Sequence, residues 1–216
     1  STQAKTLFPY TTLFRSILLA LTVSIRPLDL ILLVKTVSWL HDVADHKYCK
    51  EDPSLKAKVE AFLDKFTHTH RHLIRSDKYR QIWSKEKILQ IIERISFSRQ
   101  KNLGTKDWME TLGEQGLLVR NIVSDADKWE AIGEFGIKRC LEYQVEDMER
   151  KNQHAGPVKV HKAMVEHYHE KLKLLASQEF MFTLPGLIWA KWLDREMQGA
   201  IEENAVRAYD AEGACS

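Results

Sequence analysis

The sequence contains few of the residues that build disulfide-rich or turn-rich folds, namely cysteine, glycine and proline. It contains three cysteines in 216 residues, with no CxxC pair, together with nine glycines and five prolines. An odd, widely spaced set of cysteines excludes a disulfide framework, so a reducing, cytoplasmic compartment is the default. Few turn residues and no hairpin signals argue against a β-protein and for an all-α fold.

The chain also lacks an excess of positive or negative charge, and it lacks a long apolar run. Basic and acidic residues number 32 and 30, giving a net charge of +2. This balance predicts neither a nucleic-acid polymer nor a polybasic membrane surface as partner. The apolar segments 17–25 and 30–40 are separated by Arg26, Pro27 and Asp29, and neither is long enough to span a membrane. We predict two core helices joined by a turn that contains proline.

What is present is helical periodicity over most of the chain. Residues 55–66 and the stripe of isoleucines that follows Ser84 predict two helices, and Ser54 and Ser84 are suitable N-caps. The three histidines in 68–72 alternate, which suits a helix end better than a metal site. Glycines in 102–116 predict a mobile connection, followed by a helix that Ser124 or Asp125 caps.

The two ends of the chain are set apart from this pattern. Residues 1–16 show no helical period, and 7–16 read like the translation of a sequencing-adapter oligonucleotide. We therefore expect 1–16 to be non-native or disordered, 17–205 to form one domain, and 206–216 to form a frayed tail.

Two polar motifs lie within the apolar pattern. His41-Asp42 follows directly on a buried helix, where an unpaired charge is costly and a divalent cation would compensate it. The second motif, Asp125-Ala126-Asp127-Lys128, carries two carboxylates and a lysine, more than helix capping needs.

With both motifs in view, the chain resembles the HD-domain metal-dependent phosphohydrolases, and most closely their small single-domain bacterial branch. The resemblance covers about 17–200, and the matching stretches follow one another in the family's order. These are His41-Asp42 with Asp45 and Lys47, Ile95-Ser96-Phe97-Ser98, Asp125–Gly133, His167–Leu172, and Thr183 with Gly186 and Ala190. Trp129, Glu130 and Leu193 depart from the branch's pattern.

The resemblance implies a compact helical HD bundle that binds one divalent ion, Mn²⁺, Mg²⁺ or Co²⁺, and hydrolyses a nucleotide or similar phosphate. His41 and Asp42 would be metal ligands. The last ligand would be Asp125 or Asp127; the Ala-Asp-Lys context favours Asp127, which leaves Asp125 to support a ligand or to cap the helix.

The same resemblance assigns Asp45 and Lys47 to catalysis and Lys128 to a substrate phosphate. Asp45 would act as general base or orient the attacking water. The expected partner is a small phosphorylated substrate rather than a nucleic acid or a membrane, and the sequence leaves a homo-oligomer open.

One element of the family pattern is missing. The family places a first histidine ligand about thirty residues before the His-Asp pair, where this sequence has Thr11 and Thr12, and no histidine precedes His41. We therefore expect this chain to bind metal weakly and turn over slowly, and an N-terminal helix with a histidine to restore both. The alternative is a non-catalytic helical protein or a binding module for a phosphorylated small molecule.

Overall fold

The computed structural model describes residues 13, 15–21, 27–43, 54–153 and 156–213. Across these residues the secondary structure is helical and contains no strand, which confirms the predicted all-α class. Two compact units are distinguished, Ser1–Ala126 and Asp127–Ser216. None of the described helices is both long and apolar enough to cross a membrane.

The first unit places helices where the apolar periodicity predicts them. Helix Pro27–Leu40 and helix Ser54–Thr69 both pack on helix Lys85–Ile92. Ser84 caps this last helix by accepting a hydrogen bond from the Lys87 N–H at 3.3 Å. The unit's other elements are helix 15–21, the 3₁₀ turn Arg71–Leu73, and helices Asp77–Arg80 and Phe97–Leu103.

Asp29 shows why a carboxylate interrupts the apolar segments. It lies in the first turn of helix Pro27–Leu40 and is buried. Its two oxygens accept hydrogen bonds from the backbone N–H groups of Arg75 and Ser76, at 3.2 and 2.7 Å. The side chain thereby satisfies the backbone that enters helix Asp77–Arg80.

The predicted connection at 102–116 is wrong from Trp108 onwards. Helix Trp108–Ala131 begins there and is kinked at Gly113, whose φ of 66° only glycine adopts without strain. The prediction that Ser124 or Asp125 starts a helix is therefore wrong as well, because both lie in its interior.

The second unit contains three longer helices that pack on one another: Gly133–Arg150, Pro157–His167 and Leu184–Gly213. Between the last two, the chain forms a π-helical turn at Tyr168–Leu172 and a short helix at Lys173–Leu175. The final helix extends into the predicted tail at 206–216.

Candidate functional site

His41 lies at the point where helix Pro27–Leu40 gives way to a turn. Its backbone N–H still donates to the carbonyl of Val37 at 2.9 Å, so His41 continues the hydrogen-bond pattern of the helix. The His41 residue is only 8% exposed, whereas the side chain of Asp42 is 43% exposed. The pair therefore lies at the edge of the core, with one member inside and the other reaching solvent.

The imidazole of His41 is held in one orientation. Nδ1 lies 2.9 Å from the carbonyl oxygen of Ser38, and because a carbonyl can only accept, Nδ1 carries the hydrogen. In the neutral ring this leaves the lone pair on Nε2. Nε2 lies 3.3 Å from Oδ1 of Asp42. At this separation the two atoms can share a proton or bind one metal cation.

The donor set fits a divalent cation. Imidazole nitrogen and carboxylate oxygen are common ligands, and two neighbouring ligand atoms with bonds of about 2.1 Å lie about 3 Å apart, close to the observed separation. A backbone carbonyl on the other ring nitrogen is the usual support of a metal-binding histidine. In the part of the chain that the structure describes, no three His, Cys, Asp or Glu side chains converge as a complete metal-binding group.

The histidines at 68–72 show which features of His41 are common and which are not. Nδ1 of His70 and of His72 also contact backbone carbonyls, those of Phe66 and Thr69, at 3.0 and 3.1 Å. His72 is exposed, and the segment lies at the end of helix Ser54–Thr69, as predicted. The carbonyl contact alone is therefore ordinary, and what distinguishes His41 is burial beside a carboxylate.

The other predicted residues are divided between the two units. Asp45 and Lys47 lie outside the described residues. Asp125 belongs to the first unit, with His41 and Asp42, while Asp127 and Lys128 belong to the second.

The segment around Asp125 is buried to a degree that is rare for charged side chains. Within helix Trp108–Ala131, Asp125 is fully buried, Lys128 and Glu130 are nearly so, and Asp127 is partly exposed. Ser124 does not cap, since its hydroxyl donates to the carbonyl of Ile95 at 3.2 Å. Charged groups so far from water must be compensated, and they often mark functional sites.

Asp125 compensates a buried arginine that the motifs do not reveal. Arg120 is completely buried; its Nε donates to the carbonyl of Arg94 at 2.8 Å and one terminal nitrogen to Oε1 of Gln100 at 3.1 Å. The guanidinium carbon lies 3.9 Å from the centre of the Trp108 ring. Burial lowers the pKa of Arg120 to about 9, and the negative charge of Asp125 opposes that fall. Arg120 therefore stays charged at neutral pH.

In the second unit, Trp129 connects the acidic motif to the Thr183–Ala190 pattern. Its indole Nε1 donates to the carbonyl of Gly186 at 3.0 Å, and the Gly186 N–H donates to Oγ1 of Thr183 at 3.0 Å. The ammonium of Lys128 lies 5.7 Å from the centre of the Phe182 ring. These contacts give Trp129, a departure from the family pattern, a structural role.

Gly133, which ends the acidic motif, lies where a larger residue would clash. Gly133 has a φ of 83°, and a Cβ there would lie 2.9 Å from Cδ2 of Leu193. Leu193, another departure from the family pattern, thus packs directly against the start of helix Gly133–Arg150.

The π-helical turn holds a buried, hydrogen-bonded hydroxyl group. Tyr168 is buried, and its hydroxyl donates to Oδ1 of Asp194 at 2.9 Å. Burial, followed by this hydrogen bond, raises the pKa of Tyr168 to about 12. π-turns are frequent at functional positions, and this one coincides with the motif His167–Leu172.

Tyr168 predicts a loss of stability in alkali. Its pKa is raised above the ordinary value of 10.0, so the stabilisation is fully present below pH 10 and is lost as the pH rises towards 12. We expect the free energy of unfolding, measured by urea denaturation, to fall over this range less steeply in Tyr168→Phe. The exposed Tyr143→Phe variant should follow the wild type, and identical profiles for all three proteins would contradict the assignment.

Comparison of the chain with protein-family models, with curated proteins and with solved structures found no match.

Proposed function

We propose that the protein is a metal-dependent phosphohydrolase of the HD type, acting on a nucleotide or a similar phosphate ester or anhydride. The observation that carries the proposal is the buried His41, whose Nε2 lies 3.3 Å from Oδ1 of Asp42. A histidine held through Nδ1 beside a carboxylate supplies two of the ligand atoms that a divalent cation binds.

His41 and Asp42 would hold the ion, and the further ligand that the family resemblance implies is Asp127. When bound, the ion lowers the pKa of a water molecule and offsets charge on the phosphoryl oxygens. Partial exposure of Asp42 and Asp127 leaves both carboxylates accessible to a small substrate. Asp125 is fully buried and faces the charge of Arg120, which favours Asp127 over Asp125 as the ligand.

The remaining roles follow from charge. Asp45 would accept the proton of the attacking water or orient it. Lys47 and Lys128 would bind the substrate phosphate as cationic groups.

A second candidate is a non-catalytic binding module for a phosphorylated small molecule. It is favoured by the absence of any histidine before His41 in the sequence, where the family has its first ligand. The two candidates differ in turnover, since a binding module would bind the phosphate compound and release it unchanged.

Metal binding tests the proposal. We expect titration calorimetry with Mn²⁺ to give one site, and His41→Ala to weaken it about tenfold or more, since a direct ligand is lost. The matched control is His72→Ala, which removes an exposed histidine with a similar carbonyl contact and should leave the affinity unchanged. Equal affinity in His41→Ala and wild type would contradict the proposed ligand.

Turnover separates the two candidates. Nucleoside mono-, di- and triphosphates should release phosphate or pyrophosphate in the presence of Mn²⁺, Mg²⁺ or Co²⁺, and His41→Ala should abolish the release. Saturable nucleotide binding without product, under all three ions, would favour the binding module.

A further inference from the structure

The outer face of helix Leu184–Gly213 carries a regular seam of exposed residues. Positions along it are spaced alternately by four and three residues, the repeat that places side chains in one line on a helix. All seven are exposed, and the four large apolar ones are between 49% and 63% exposed. The seam consists of Ile188, Trp192, Arg195, Gly199, Glu202, Val206 and Tyr209.

The chemistry of this seam is symmetric about its centre. Counting outwards from Gly199, basic Arg195 corresponds to acidic Glu202, Trp192 to Val206, and Ile188 to Tyr209. At equal distances from Gly199, the two sides of the seam therefore carry either opposite charges or two apolar residues. A helix face with this order is complementary to itself when a second copy runs antiparallel to it.

The centre of the seam allows close approach. A Cβ placed on Gly199 would meet no atom within 4 Å, so the glycine is not required by packing inside the chain. Glycine in the middle of an exposed helix is unfavourable relative to alanine. Where two helices cross, a glycine allows their backbones to approach closely, because it has no side chain.

At one end of the seam, an open depression of about 300 Å³ is lined by Ile188 and Trp192 together with the neighbouring Trp189. The two tryptophan rings meet edge to face, with centres 5.4 Å apart. An antiparallel copy brings Val206 and Tyr209 of one chain to this end of the other. Exposed apolar clusters of this kind mark interaction surfaces.

We infer that the protein forms a two-fold symmetric dimer through this face of helix Leu184–Gly213, with Gly199 at the crossing and Arg195 of each copy paired with Glu202 of the other. Such a contact is isologous, since the same surface serves both partners, and it closes at two copies. A helix of 30 residues is about 45 Å long, which gives the contact the length of several turns on either side of the crossing.

Charge reversal tests the dimer. Sedimentation equilibrium of the full chain should show a dimer, and Arg195→Glu should weaken it about tenfold or more, because two attractive pairs become repulsive. The double variant Arg195→Glu/Glu202→Arg should restore the dimer. The control Lys162→Glu, an equal charge change on an exposed residue of helix Pro157–His167, should leave it unchanged.

A second variant tests the crossing. Gly199→Leu has room within the single chain, so its circular dichroism should match the wild type, while its bulk should prevent dimerisation. A wild type that stays monomeric at 100 µM would overturn the inference, as would a dimer unaffected by Arg195→Glu and Gly199→Leu. A monomer that co-sediments with phosphatidylglycerol vesicles would also overturn it, and would assign the face to an anionic lipid surface.

Discussion

Replacing Arg120 with methionine is expected to lower the free energy of unfolding by about 3–5 kcal/mol. The guanidinium is completely buried and donates to Arg94 and Gln100. Its removal takes one donor from each of these acceptors and takes the positive charge of Arg120 from the surroundings of the buried Asp125 carboxylate. Breaking one side of a buried charge pair costs this much because the remaining charge stays in a medium of low dielectric. Urea denaturation followed by circular dichroism measures the loss.

Two variants make this prediction specific. Arg120→Met/Asp125→Asn removes both charges and should recover a substantial part of the loss. Arg71→Met, at an exposed position of the first unit, should change the free energy of unfolding by less than about 0.5 kcal/mol. If Arg120→Met unfolds at the wild-type urea concentration, Arg120 is not the buried cation that the structure places beside Trp108.

Gly136→Ala is expected to lower the free energy of unfolding by about 2–3 kcal/mol. The chain bends at Ile132, which is extended, and at Gly133. This bend sets the carbonyl of Ala131 directly against Gly136, where a Cβ would clash with the carbonyl oxygen. Because the opposing atom belongs to the backbone, it cannot turn aside, and overpacking of this kind costs about 1–3 kcal/mol. Thermal unfolding of the full chain is the measurement.

Gly199→Ala provides the matched control for Gly136→Ala. The substitution is the same, but a Cβ at Gly199 meets no atom within 4 Å. At a protein concentration low enough to keep the chain monomeric, we expect Gly199→Ala to be neutral or up to about 1 kcal/mol stabilising, because alanine favours the helix. Equal destabilisation by the two substitutions would show that the clash at Ala131 is not the cause.

The helices that the sequence predicts well are those whose signals are local. The isoleucine stripe and the Ser84 cap place helix Lys85–Ile92, because both arise from side chains within the helix itself. The part of helix Trp108–Ala131 before Ser124 is not predicted, because Gly113 and Gly116 suggest a loop. Gly113 has non-helical backbone angles and kinks the helix, and Gly116 packs near Ile91, a contact between residues distant in sequence.

In the candidate site, too, the features that depend on local sequence are predictable and those that depend on the fold are not. The His41-Asp42 pair is predictable, because a charged pair at the end of an apolar helix is visible in the sequence itself. The carbonyl of Ser38 that orients the ring is also local, but its role depends on a turn that only the structure shows. Arg120 is not part of either motif, although a single charge between Leu117-Leu118-Val119 and Ile122-Val123 is a sequence signal of a buried cation.

The π-helical turn at Tyr168–Leu172 has a consequence for comparing this chain with relatives. The turn carries two buried side chains, Tyr168 and Leu172, four residues apart. A π-helical turn of this kind is equivalent to one residue inserted into an α-helix. A homologue one residue shorter between His167 and Lys173 should therefore keep an unbroken helix here. The gap in its alignment belongs inside this turn, where it leaves Asp194 and the final helix in register.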